Sequence, residues 1–299
     1  MRSSTRNITS TVSVNHSWFT DLCLLVKVKL SLTVVLTSGL GFLIASKYVG
    51  FQLSSLILFL IGGMLVTFSA NAINQVLEKD FDCLMTRTKD RPIASGRMKV
   101  SEAIMIAGIM CLFGVTILSL FNPLTALLGM LSFVTYAFVY TPLKRYSTAA
   151  VAVGAVPGAL PVLIGFTAVD GRISLLALLL FLIQFAWQFP HFWAIGFLSF
   201  TDYSKAGYKL LPVDDSGVLD KSIGISSIVY AFVTLACTFG LYYIDLISMI
   251  SFCVMGVLSL LYIYFSYRFH SSYNRETARG LMFFSFFYMP IVLIINLFY

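Results

Sequence analysis

The chain has 299 residues, is 59% hydrophobic and only 11% charged, and carries a formal net charge of +7. Soluble domains average about 45–50% apolar and about 25% charged residues, so this composition excludes an ordinary water-soluble fold. The positive charge is no nucleic-acid signal either, because it is distributed by membrane side. A spanning helix needs roughly 20 apolar residues. Such runs lie near 30–49, 52–73, 102–121, 124–141, 149–168, 174–198, 224–243, 246–266 and 280–298. They are continuous rather than alternating, which argues against the strands of a barrel. The expectation is an all-α membrane protein of about nine transmembrane helices. Residues 1–25 read as a polar, mobile tail and 26–299 as one intramembrane domain. The first 20 residues lack the apolar core of a cleavable signal peptide. The five cysteines are scattered, without metal or redox spacing, and read as small buried apolar groups.

Basic residues set the topology. With nine spans, one side receives Arg2, Arg6, Lys27 and Lys29 before span one. The loop after span two adds Lys79, Arg87, Lys89, Arg91, Arg97 and Lys99. Lys144 and Arg145 follow span four, Lys205, Lys209 and Lys221 follow span six, and Arg268, Arg275 and Arg279 follow span eight. That is 18 of the 20 basic residues; only Lys47 and Arg172 fall opposite. The positive-inside rule places this side, with the N-terminus, in the cytoplasm. The two long polar loops, near 83–101 and 199–223, share it. Their recurrence four helices apart hints at an internal duplication.

The first loop begins with the most informative stretch, NAINQVLEKDFDCLMTRTKDRPIASGR, from Asn71 to Arg97. Asn74, Glu78 and Asp82 recur at i, i+4 and i+8, which stacks three oxygen-bearing side chains on one helix face. An acid at the bilayer centre costs about 2.5–3.5 kcal/mol. These residues therefore belong at the interface, in a wet cavity, or around a cation. Mg²⁺ takes a few carboxylates and leaves its other positions to water and phosphate. Arg87 and Arg91 follow at once, and the planar guanidinium suits phosphate. The pattern points to a metal-bridged diphosphate at the membrane edge.

Span four closes on Tyr140-Thr141-Pro142-Leu143-Lys144-Arg145, where Lys144 and Arg145 either anchor the helix or add charge to the diphosphate pocket. Span five holds Gly154, Pro157, Gly158 and Pro161. Such an irregular helix is tolerated where it is buried in protein or lines a cavity. Span six carries Trp187-Gln188-Phe189-Pro190-His191, with the histidine roughly 12 Å from the cytoplasmic end at 1.5 Å per residue. An ionisable group at that depth is a functional candidate. It can serve as a metal ligand, as a base, or as a satisfied packing residue. The second loop follows, with Asp202 as a candidate ligand of a second Mg²⁺ and Tyr203 and Lys205 as diphosphate contacts.

The string Asn74-xxx-Glu78-xxx-Asp82-xx-Met85-x-Arg87-Thr88-xx-Arg91-Pro92 resembles the first Asp-rich motif of the UbiA-type intramembrane prenyltransferases. Within them it most resembles the haem O synthases, the protohaem IX farnesyltransferases. Glu78 stands where that family usually has Asp, keeping the charge and adding a methylene. The Asp202-Tyr203-xx-Ala206-Gly207-xxx-Leu211-Pro212-Val213 string resembles the second motif, with one acid where relatives acting on simpler aromatics have two. The YTPLKR run and the Gln188-x-Pro190-His191 run fit as well. The resemblance implies a UbiA-type bundle with a central cavity open to the cytoplasmic side, in a bacterial inner membrane. It implies transfer of farnesyl from farnesyl diphosphate to a vinyl group of haem B, with addition of water, giving haem O and diphosphate. Mg²⁺ on Asn74, Glu78, Asp82 and Asp202 would be the cofactor. Arg87, Arg91, Lys144, Arg145, Tyr203 and Lys205 would hold diphosphate, and His191, Gln188 and Trp187 would meet haem. Haem A synthase or a terminal oxidase assembly would be a partner. Two alternatives stand beside it: a prenyltransferase for another aromatic acceptor such as a quinone precursor, and a secondary transporter built around the broken fifth span.

Overall fold

The computed structural model describes residues 16–214 and 216–298; Arg2 and Arg6 of the charge pattern lie outside them. Among the described residues, nine helices are long and apolar enough to cross a membrane. They are α2 (Val28–Val49), α3 (Leu53–Leu77), α5 (Val100–Ser119), a compound span over Pro123–Leu143, α8 (Ala150–Asp170), α9 (Leu175–Leu198), α11 (Ser222–Tyr243), α12 (Met249–Ser272) and α13 (Arg275–Leu297). Short helices α1 (Trp18–Leu25), α4 (Lys79–Asp82) and α10 (Phe200–Lys205) lie between them. The chain is a multi-pass integral membrane protein.

Helix starts follow capping chemistry. Asn122, Ser174, Ser248 and Asn274 each accept the backbone N–H three residues on, satisfying a donor that the first turn leaves free. The compound span is α6 (Pro123–Val134), a π-helical turn (Thr135–Tyr140) and α7 (Thr141–Leu143). Pro142 has no N–H to donate, and the wider turn precedes it. Thr141 Oγ1 donates to the Tyr136 carbonyl at 2.9 Å across that turn. Both Tyr136 and Tyr140 line the central cavity.

The first half packs α3 on α2 and α5, and the second packs α9 on α11 and α13. The most deeply buried helix, α8, joins them by packing on α2, α6 and α9. Small residues permit this close approach, as in membrane bundles generally. A β-carbon on Gly165 would land on the Ser38 carbonyl of α2. Pro161 leaves the Pro157 carbonyl without its helical donor, and Ser132 Oγ supplies one at 3.4 Å.

One stretch differs from expectation. Within the supposed tail, Trp18–Leu25 is a docked helix with Asp21 and Leu25 buried. Arg97 ties it down, donating to Asp21 at 3.0 Å and to Asp90 at 2.9 Å. An acid inside a mostly apolar octet is the local signal, but its partner lies 76 residues away.

Candidate active site

A cavity of about 700 Å³ opens among α2, α3, the compound span, α8, α9 and α13. It reaches the face that carries the two long loops. Its deep part is lined by Leu40, Val66, Phe133 and Pro161, and its mouth by charged groups. Four cations (Lys27, Arg87, Arg91, Lys144) and two carboxylates (Glu78, Asp82) line it, a surplus of two positive charges.

The helix carrying the first motif breaks at Glu78, whose φ of −97° and ψ of 4° leave the helical region. The i, i+4, i+8 triplet is therefore split between α3 and α4 rather than carried on one straight helix. The break does not separate the residues. The Glu78 N–H still donates to the Asn74 carbonyl at 3.0 Å, and the Asp82 N–H to the Glu78 carbonyl at 2.8 Å. All three side chains line the cavity.

Each oxygen faces a cation. Lys144 Nζ donates to Glu78 Oε1 at 2.6 Å and lies 4.4 Å from the Tyr140 ring centroid, a cation–π arrangement. Arg91 Nη1 donates to both Asp82 oxygens, at 2.8 and 2.7 Å, and stands 3.7 Å from Glu78 Oε2. Lys27 Nζ donates to Asn74 Oδ1, while Asn74 Nδ2 donates to Thr141 Oγ1 at 3.0 Å. Burial works to raise Glu78, but Lys144 and Lys27 hold its carboxyl below the usual value. Burial works to lower Lys144, and Glu78 holds its ammonium well above the usual value. Burial, and then the Arg91 charge, pull Lys27 well below the usual lysine value. The surplus of positive charge at this mouth suits an anion.

The second loop meets the first at the mouth. Arg87 Nη2 donates to Tyr203 Oη at 3.3 Å, Thr86 Oγ1 donates to Asp202 at 3.4 Å, and the Lys209 N–H donates to the Lys144 carbonyl at 2.7 Å. Tyr203 lines the cavity. Asp202, paired with Lys205 at 3.7 Å, stands at the rim outside that lining, as does Lys205. Arg145 also lies outside the lining, its guanidinium 4.4 Å from the Phe81 ring centroid.

On α9, Trp187, Gln188 and His191 all line the cavity. Gln188 Nε2 donates to the carbonyls of Ala155 and Gln184 at 3.0 and 3.2 Å, so its amide nitrogen fastens α9 to α8. His191 Nδ1 lies 2.7 Å from Ser285 Oγ, and Trp187 stacks on the imidazole at 4.8 Å.

The structure brings Asn74, Glu78, Asp82, Arg87, Arg91, Lys144, Tyr203, Trp187, Gln188 and His191 to one hollow, together with Lys27, Asn71, Tyr136 and Tyr208, which the sequence does not single out as site residues. Lys27 had been counted only as a topological charge. Its left-handed φ of 50° bends the chain between α1 and α2, a contortion that composition does not signal.

The mouth of this membrane bundle gathers carboxylates, an amide and surplus cations above an apolar hollow. The profile of the UbiA prenyltransferase family matches residues 34–288, and the chain belongs to that family. It is 38% identical to the protoheme IX farnesyltransferase of Flavobacterium psychrophilum over 93% of this chain and 94% of that one. A solved structure from work on digeranylgeranylglyceryl phosphate synthase superposes with a TM-score of 0.79 at 18% identity, over 94% of this chain and 97% of the other. A UbiA homolog from Archaeoglobus fulgidus, bound to GPP and Mg²⁺, superposes with a TM-score of 0.70 at 15% identity, over 92% and 99% of the two chains.

Proposed function

We propose that the chain transfers farnesyl from farnesyl diphosphate to a vinyl group of haem B, with addition of water, giving haem O and diphosphate. The observation that carries the chemistry is the pairing of Glu78 and Asp82 with Lys144 and Arg91 in one cavity mouth. The acceptor is supported by the likeness to a protoheme IX farnesyltransferase along nearly the whole chain and by a cavity-lining imidazole.

The donor set suits Mg²⁺. It offers only oxygens, two of them carboxylates, which is a partial shell that diphosphate oxygens and water complete. Among the described residues no three acidic, histidine or cysteine groups are placed to hold a metal ion. Asn74, Glu78 and Asp82 would hold Mg²⁺, while Asp202 stands at the rim, beside Lys205. When bound, Mg²⁺ supplies charge that stabilises the departing diphosphate.

The chain's own residues do the rest. Lys27, Arg87, Arg91 and Lys144 neutralise charge on the leaving group, aimed there before reaction begins. Lys205 and Arg145 add positive potential at the rim, and Tyr203 positions Arg87. Tyr136, Tyr140, Phe192 and Tyr208 give the cavity an aromatic wall that would stabilise an allylic cation, since aromatic faces attract cations. The apolar depth of the cavity holds the prenyl chain and excludes water. With the basic loops in the cytoplasm, both substrates are taken from the cytoplasmic half of a bacterial inner membrane, and a haem A synthase or oxidase assembly takes the product.

Proteoliposomes supplied with farnesyl diphosphate test this by diphosphate release. Release that needs both haem B and Mg²⁺, and that EDTA stops, is the expected result. Release driven by a hydroxybenzoate or another aromatic acid, with none on haem B, overturns the haem assignment in favour of a quinone-precursor acceptor.

A further inference from the structure

Ser285 decides which nitrogen of His191 carries the proton. Its hydroxyl has a single hydrogen. Oγ lies 2.6 Å from the Met282 carbonyl oxygen, which can only accept. The hydrogen is therefore committed to Met282, and Oγ meets His191 Nδ1, at 2.7 Å, as an acceptor. Nδ1 must carry the proton, and the lone pair falls on Nε2. Among the described residues His191 has this one hydrogen-bond partner, and its ring borders the cavity. The ring is also clamped: Trp187 stacks on it at 18°, Phe286 meets it edge-on at 5.1 Å, and Trp187 Nε1 donates to the Ser285 carbonyl at 2.9 Å. Here Nδ1 is tied back to Ser285, which makes Nε2 the nitrogen available to a ligand in the hollow that His191 lines. A metal-ligating histidine has this arrangement, its second ring N–H donated to a fixed acceptor that sets tautomer and orientation.

We infer that His191 Nε2 is the axial ligand of the substrate haem's iron, and that Ser285 is the positioning residue that sets the ligating tautomer. This rests on haem B being the acceptor. Iron ligation would fix the macrocycle in the cavity by its centre, leaving a vinyl edge to be turned toward the cationic mouth.

The test is resonance Raman spectroscopy of the full chain in nanodiscs loaded with haem B and reduced. The expected result is an iron–histidine stretching band that is lost in His191→Ala and in the bulkier His191→Gln, and restored to His191→Ala by free imidazole. Ser285→Ala keeps a band at lower frequency, because Nδ1–H loses its acceptor, and binds haem about tenfold more weakly; Ser285→Thr restores both. Iron-free protoporphyrin IX binds wild type and His191→Ala alike. A wild type without the band, a His191→Gln protein that retains it, or a Ser285→Ala band of unchanged frequency overturns the inference. Haem O formed by a wild type lacking the band sinks the ligation alone. A histidine-ligated haem that is never farnesylated sinks the acceptor assignment instead.

Discussion

Replacing Lys144 by Met removes the cation closest to Glu78 while keeping most of the side chain's volume. At 2.6 Å, a unit charge pair is worth about 6 kcal/mol at an effective dielectric constant near 20, before the opposing desolvation. Removing one partner of a buried pair usually costs about 3–5 kcal/mol, because the other charge is stranded. Glu78 is not wholly stranded, since Arg91 remains 3.7 Å from its other oxygen. The expected loss is therefore at the low end, about 3 kcal/mol. Reversible unfolding in mixed SDS micelles measures it. Glu78→Gln combined with Lys144→Met removes both charges and should recover about 2 kcal/mol of that loss, the coupling expected of residues in contact. The double variant should still fail to release diphosphate. If Lys144→Met lost less than about 1 kcal/mol, or the double variant were no more stable than the single, the two groups would not be a buried pair.

Asp82→Asn, which keeps the shape and removes the charge, should lower turnover at least about a hundredfold; Asp202→Ala, altering a rim residue, should lower it less, and steady-state rates in the same vesicles compare them. Lys27→Met should weaken binding of a non-reactive farnesyl thiolodiphosphate about ten- to a hundredfold, the worth of one charge-assisted hydrogen bond, and calorimetry reads it. Gly158→Ala should destabilise by about 1–3 kcal/mol, because the new methyl would fall on Gln188 Oε1 where α8 meets α9; unaltered stability would mean the two helices are not in that contact.

Hydropathy made the nine spans legible because lipid demands long uninterrupted apolar runs, and the observed ends fall close to the expected ones; α12 runs furthest past, to Ser272. Asn74, Glu78 and Asp82 were legible because helical spacing stacks them locally. What sequence could not show is tertiary. The break at Glu78 lies in backbone angles that a period-of-four pattern does not encode. Lys27 looks like an interfacial anchor until a left-handed turn brings it onto Asn74. Asp202 follows an apolar run much as Glu78 does, yet the turn of α10 leaves it at the rim beside Lys205. Ser285 is one serine among many, and only the meeting of α9 and α13 gives it a role.

The most direct measurement is the mass of haem extracted after vesicles holding the purified chain have been incubated with haem B, farnesyl diphosphate and Mg²⁺. The account predicts a product heavier than haem B by one farnesyl group and one water, formed in step with diphosphate and absent with Asp82→Asn. Haem B recovered unchanged while diphosphate is released, or an equal yield from Asp82→Asn, would contradict it.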